Sequence, residues 1–236
     1  NKMSGILYIV ATPIGNLEDI TLRALRVLKE VDVIAAEDTR QTLKLLNHFE
    51  ISKPLISYHR HNEEFKSDIL LEKLKNGENI ALVSDAGTPG ICDPGEEVIR
   101  KAIEEGITVI PIPGACAMIN ALIVSGISTK EFEFLGFLPL NKKLRRQKLK
   151  EIENSNKTII IYEAPHKMKT TLDDLKEILK DRKIVLAREL TKIHEEFIRK
   201  SIDELLREID TIKGEMILII EGNKIETEGY KNFDEI

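Results

Sequence analysis

Short apolar runs alternate along the chain with stretches in which apolar residues recur every three or four positions, a pattern that predicts β-strands separated by amphipathic helices. The runs predict strands at residues 6–11, 32–36, 55–57, 79–83 and 107–112. Between them, Leu22, Leu25 and Leu28 lie at helical spacing within 21–29, and Ile69, Leu70 and Leu74 repeat the pattern ahead of Gly77, a helix stop. Asp93-Pro94-Gly95-Glu96 reads as a helix start: an acidic N-cap, proline at the first helical position and glutamate three residues after the cap. The segment PIPGACA, 111–117, closes this first unit with two prolines and a glycine, so a domain boundary is expected there, dividing the chain into 1–114 and 115–236.

The second stretch predicts strands at 132–137, 157–162, 183–188, 195–200 and 215–221. After Pro165, Met168, Leu172, Leu175 and Leu179 form a helical stripe, and Ser201-Ile202-Asp203-Glu204 is a second capping box. Strand–helix alternation of this kind predicts an α/β fold in two α/β domains, with mainly parallel, helix-covered sheet.

Composition narrows the class. The 236 residues are 42% apolar and 32% charged, an ordinary globular balance, and no apolar run approaches the ~18–20 residues of a membrane span. The start NKMSGILYIV has no cationic region followed by a cleavage site, so a cytoplasmic location and no membrane partner are expected; Asn1 and Lys2 are left out of the fold reading. Cys92 and Cys116 show neither C-x-x-C spacing nor a nearby histidine pair, so no disulfide framework and no metal site are expected. A net charge of −5 argues against a wholesale nucleic-acid coat. A local patch remains: six of the ten residues in NKKLRRQKLK, 141–150, are Lys or Arg, which makes either a solvated helix face or a phosphate-contacting one.

Candidate chemistry lies in three turns. LVSDAGTPGICDPG (82–95) follows a buried strand, ATPIGNLEDI (11–20) follows the first strand, and IPGACAMINALIVSGI (112–127) follows the fifth. Such turns stand at the carboxyl ends of parallel strands, where open α/β proteins hold ligands. Gly87, Gly90 and Gly114 can let main-chain N–H groups approach a carboxylate or phosphate, and Asp85 can offset a positive charge; plain tight turns are the alternative. The absence of G-x-x-x-x-G-K-[ST], of G-x-G-x-x-G after the first strand and of G-x-S-x-G disfavours a P-loop NTPase, a Rossmann dehydrogenase and an α/β-hydrolase.

Taken together, YIVATPIGNLEDITLRAL, AAEDTR, SYHRHNE, LVSDAGTPGICDPG, IPGACA with ALIVSG, IIYEAPHK, ARELTK and GEMILIIEG form a co-linear set running from Gly5 to Gly222. As a set they resemble the small-subunit ribosomal RNA methyltransferases of the tetrapyrrole methylase superfamily. The resemblance implies two α/β domains with S-adenosylmethionine in the cleft between them, a homodimer, and 2′-O-methylation of a cytidine in the decoding region of 16S ribosomal RNA. It implies donor contacts at Pro13, Asp85, Ala86, Gly87, Ile91, Ser125, Gly126, Tyr162, Ala187 and Gly214. Three departures stand out: Lys167 follows EAPH where arginine is usual, Cys92 stands where serine is common, and a further small helical segment is expected past Ile236.

For the proton of a ribose hydroxyl the candidates are Glu163 and His166, which come directly off a strand end, then His59, with His61 and Glu63 beside it. RNA phosphates are assigned to Arg23, Arg40, Arg60, Lys142, Lys143, Arg145 and Arg146. With only 5% aromatic residues, stacking platforms are few, so the assembled 30S subunit is the expected substrate rather than free RNA. Two readings compete: a small-molecule methylase acting on a tetrapyrrole, from which SYHRHNE, AEDTR, EAPHK and the basic run separate this chain, and a non-enzymatic RNA-binding protein of the same fold.

Overall fold

In the computed structural model, which describes residues 3–224, the run Ile80–Val83 forms a strand whose side chains alternate between two cores, Ile80 and Leu82 on one face and Ala81 and Val83 on the other. A strand buried on both faces needs helices on both sides, and the surrounding sequence supplies them. The first unit runs β1 (Leu7–Val10), α1 (Leu22–Glu30), β2 (Val33–Ala36), α2 (Thr39–His48), β3 (Leu55–Ser57), α3 (Glu63–Lys75), β4 (Ile80–Val83), α4 (Glu96–Glu104), β5 (Val109–Ile112) and α5 (Ala117–Ile123). Its sheet has the order β3-β2-β4-β1-β5 and every pairing is parallel. Leu70 and Leu74 of α3 and Val98 and Ala102 of α4 pack with Ile80 and Leu82, whereas Ala24, Val27 and Leu28 of α1 and Leu46 of α2 pack with Ala81 and Val83. The two compact units divide between Asn120 and Ala121, inside α5 and past the turn at Gly114.

The start of α4 departs from the expected capping box. Its first residue is Glu96, its cap is Gly95 at φ +150°, and no side chain caps it. A Cβ at Gly95 would lie 3.1 Å from Leu82 Cδ2 and 3.3 Å from Gly90 N, so the turn packs on β4 too closely for anything but glycine. Asp93 does not cap the helix because its carboxyl sits beside Asp85, Arg60 and the Ser84 hydroxyl. At Ser201 the cap forms: its Oγ accepts the Glu204 N–H at 3.3 Å and donates to Glu204 Oε1 at 3.1 Å, so the glutamate returns to the hydroxyl rather than to the backbone N–H of a full capping box.

The second unit contains β6 (Phe132–Phe137), α6 (Lys142–Glu151), β7 (Thr158–Glu163), α7 (Met168–Leu179), β8 (Lys183–Arg188), β9 (Glu196–Ser201), α8 (Ile202–Glu208) and β10 (Met216–Ile220). Its sheet has the order β6-β7-β10-β8-β9, and only β6 and β7 pair in parallel. The mainly parallel expectation therefore holds for the first sheet and fails for the second. Side chains alternate with period two in either direction, so an apolar run carries no sign of strand polarity. The stripe Met168, Leu172, Leu175 and Leu179 packs on Ile159, Ile161, Leu186 and Leu218. Among the described residues no helix is long and apolar enough to cross a membrane. The segment expected past Ile236 lies outside the described residues.

Candidate methyl-donor site and basic helix face

In the first unit, three loops leave the carboxyl ends of β1, β4 and β5 and are stapled to one another. The Thr12 N–H donates to Gly87 O at 2.9 Å and the Gly87 N–H returns to Thr12 O at 3.0 Å. Thr88 Oγ1 donates to Ala115 O at 3.0 Å, and Ser84 Oγ donates to Ala86 O at 3.2 Å. The amide of Gly87 is thus engaged by the neighbouring loop. Gly87 supplies a φ of +78° where a Cβ would lie 3.1 Å from Ile14 Cγ2, and a Cβ at Gly114 would lie 2.8 Å from that of Ala11. These glycines let the loops approach each other and so fix a rigid rim.

Acids gather on that rim. Asp85 is exposed, and its Oδ1 accepts the Asp38 N–H at 2.9 Å. Glu37, at the end of β2, is pushed up to about 7, first by burial and then by the charge of Asp85. Asp93 is raised by the same two causes, burial first, with the Arg60 guanidinium opposing. Asp38 is held low, chiefly because it accepts the backbone N–H of Arg40. Carboxyls that resist ionising mark a place short of positive charge, so the site fits a cationic ligand such as a sulfonium bearing an ammonium group. Pro13 is half-buried beside this rim and Ala86 and Ile91 are exposed on it.

In the second unit, the Ser125 hydroxyl donates to Leu122 O at 2.8 Å and accepts the Ile127 N–H at 3.0 Å, which shapes the turn carrying Gly126 at φ +78°. Tyr162, at the end of β7, meets Phe134 and Phe137 edge-on, with ring centroids 4.9 and 5.8 Å away. Ala187 is buried within β8, opposite Ile217 and Phe197. A Cβ at Gly214 would overlap the Glu189 carboxylate.

The proton-acceptor candidates differ in how their atoms are engaged. Glu163 is buried, with Oε1 accepting the Ala164 N–H at 2.8 Å and Oε2 accepting the Thr171 hydroxyl at 2.6 Å, so both oxygens clamp the turn into α7. His59 Nδ1 accepts the His61 N–H at 3.2 Å and its Nε2 lies 3.1 Å from Asn62 Nδ2. Glu63 Oε1 accepts from Tyr58 Oη at 3.2 Å and from the Gly95 N–H at 3.1 Å. His166 is exposed on the turn that follows β7.

The basic run forms α6, but its arginines and lysines separate. Arg145 is buried; its Nε donates to Asp174 Oδ2 at 2.7 Å and its Nη1 to Leu140 O at 3.1 Å. Arg146 donates to Asp174 Oδ1 at 3.2 Å and to both Glu177 oxygens at 2.7 Å. Both guanidiniums therefore tie α6 to α7, while Lys142 and Lys143 remain exposed. Arg23 is exposed on α1, Arg40 is exposed with its Nε 3.5 Å from Asp38 Oδ1, and Arg60 Nη2 donates to Cys92 O at 3.3 Å. Sequence reasoning missed Glu37, Asp93 and Asp174. The signal for Asp174 was present: it lies three residues from Thr171 on the buried face of α7, an acid at core spacing in a chain with an unpaired basic run.

A parallel first sheet with stapled loops at its carboxyl end, followed by a mixed-sheet second unit, defines a two-unit α/β protein of the methylase type. The chain belongs to the tetrapyrrole methylase family: the family model described as Tetrapyrrole (Corrin/Porphyrin) Methylases matches residues 6–206. It is 58% identical over 229 residues to the protein of Halalkalibacterium halodurans named Ribosomal RNA small subunit methyltransferase I, covering 95% of this chain and 79% of that one. The Bacillus subtilis protein of the same name is 53% identical over 224 residues, covering 94% and 77%. Among solved structures, uroporphyrin-III C-methyl transferase from Thermus thermophilus, complexed with S-adenyl homocysteine, superposes with a TM-score of 0.66 at 16% identity, covering 92% of this chain and 97% of that one. At that identity the likeness concerns the fold.

Proposed function

We propose that this protein is an S-adenosylmethionine-dependent methyltransferase of small-subunit ribosomal RNA, and that it methylates the ribose 2′-oxygen of a cytidine in the decoding region of 16S RNA. The 58% identity over 229 residues to a protein named Ribosomal RNA small subunit methyltransferase I supports the small-subunit RNA part of the reading. When bound, S-adenosylmethionine supplies a methyl group on a good leaving group, so that the O–CH3 bond forms as the C–S bond breaks and the hydroxyl proton leaves.

The chain's own residues hold and align the reactants. Asp85, with Glu37 and Asp93 behind it, offsets the donor's positive charge, while Pro13, Ala86, Gly87 and Ile91 shape the rim against which it rests. Ser125, Gly126, Tyr162, Ala187 and Gly214 stand as the second unit's donor contacts. Alignment of a ribose hydroxyl is the larger contribution, with effective molarities of ~10⁵ M or more, and a positioned base adds ~10² to 10⁴. We assign that base to His166, since Glu163 has both oxygens engaged and His59 both ring nitrogens.

Lys142 and Lys143, with Arg23, Arg40 and Arg60, contact RNA phosphates, and Arg145 and Arg146 hold the helix that presents the lysines. The substrate is the assembled 30S subunit, and the enzyme works as a cytoplasmic homodimer. The test is transfer of a labelled methyl group to 30S subunits from a strain lacking the modification, with 50S subunits and naked 16S RNA as controls. Label mapping to one 2′-hydroxyl is expected; absence of label on 30S RNA, with the donor shown to bind, would sink the reading in favour of a tetrapyrrole methylase or a non-enzymatic RNA-binding protein.

A further inference from the structure

Within the first unit, between the loop after β1 and helix α2, lies an open cavity of about 300 Å³. It adjoins the donor rim without lying on it: Pro13 and Asp85 border it, whereas Ala86, Gly87 and Ile91 do not. Its volume falls at the small end of the ~300–1,000 Å³ typical of small-molecule sites, a size that suits one nucleotide.

The walls have nucleotide chemistry. Leu17 and Leu45 supply apolar surface for the face of a base. Gln41 and Lys44, three residues apart on α2, are exposed, and among the described residues neither side chain has a partner. Asn16 Oδ1 accepts the Glu18 N–H at 3.0 Å, which leaves its Nδ2 as a donor. Asp85, pinned through Oδ1 to the Asp38 N–H, holds a carboxylate at the edge where cavity and donor rim meet. Amides that both donate and accept match a base edge, an ammonium matches a phosphate, and a carboxylate accepts from a ribose hydroxyl. RNA bases read individually are read unstacked, their edges free.

We infer that this cavity receives the target ribonucleotide, turned out of its RNA stack, with Asn16 and Gln41 at the base edge and Lys44 on its phosphate. The inference rests on the ribosomal RNA methyltransferase reading. It gives the basic α6 face a complement: the lysines there set affinity for the RNA surface, and the cavity selects the nucleotide.

The test uses the full chain with 30S subunits lacking the modification, measuring methyl-transfer kinetics and, separately, S-adenosylhomocysteine binding by calorimetry. Leu17→Trp fills the cavity from a half-exposed position that tolerates a larger side chain. It is expected to lower kcat/KM on the order of 100-fold, and Lys44→Ala to raise KM for 30S subunits about ten-fold with kcat nearly unchanged. Both variants are expected to keep S-adenosylhomocysteine affinity within about two-fold of wild type. Wild-type kinetics in both variants would overturn the inference while leaving the methyltransferase reading intact. Lost S-adenosylhomocysteine binding in Lys44→Ala would assign the cavity to the donor and overturn it as well. Failure of wild type itself to label 30S RNA would instead remove the reading on which the inference stands.

Discussion

Arg145 and Asp174 form an ion pair nearly closed to solvent, Nε to Oδ2 at 2.7 Å, with side-chain exposures of 11% and 7%. The pair joins the basic helix α6 to the core helix α7, and Asp174 also takes Arg146 on its other oxygen. A run of charge that the sequence offers as an RNA contact is thereby partly structural, and its lysines are the groups left facing outward.

Asp174→Ala is expected to destabilise the protein by about 3–5 kcal/mol, because it strands a buried guanidinium rather than removing the pair. Urea unfolding measures this, and a loss below about 1 kcal/mol would mean that Arg145 finds water or another acceptor at little cost.

Lys142→Ala combined with Lys143→Ala is expected to reduce the slope of log affinity for 30S subunits against log salt by about two, one per phosphate contact, with the modified nucleotide unchanged. The same slope in the double variant and wild type would exclude α6 from the RNA footprint.

Glu37 holds its proton up to about 7 in the folded chain against an ordinary 4.5. Below about 4.5 it is protonated in both states, and its favourable contribution to stability is then lost as pH rises through about 7. Glu37→Gln should therefore stabilise the protein at pH 8 and not at pH 4, by about 1–2 kcal/mol once solvent screening of a half-buried group is allowed for. Equal effects at the two pH values would refute the assignment. By the same linkage a cationic donor favours ionised Glu37, so S-adenosylmethionine affinity should rise with pH through about 7, and that of S-adenosylhomocysteine, which lacks the sulfonium charge, should rise less.

Glu163→Gln separates a clamp from a base. A glutamine can still accept the Ala164 N–H through its carbonyl and donate to Thr171 Oγ1, so the turn survives and the rate should stay within about three-fold of wild type. His166→Ala should slow single-turnover methyl transfer by ~10² to 10⁴ without changing donor affinity. A slow Glu163→Gln beside a fast His166→Ala would reverse the two roles.

Strand and helix placement was legible because burial imposes it locally. The run Ile80-Ala81-Leu82-Val83 has no polar face to give to water, and the stripe from Met168 to Leu179 keeps to one side of its 12-residue helix. The start of α4 was misread because the cap residues were right but the space was not: only contact with Leu82 shows that Gly95, and not Asp93, must stand there. The loop glycines were legible as special backbone positions, yet their reason was hidden, since the partner of Gly87 is Thr12, seventy-five positions away in the chain.

The sequence by itself determined where the strands lie, the capped start of α8 and, through its co-linear motifs, the family. These follow from local periodicity, from cap chemistry and from a motif order that folding does not alter. Tertiary structure alone decided that β10 inserts antiparallel between β7 and β8, that Arg145 turns inward to Asp174, and that Glu37 is crowded by Asp85. Each of these depends on which distant residues share a space, and both the electrostatics of a carboxyl and the direction of a strand are set by neighbours in space rather than in sequence.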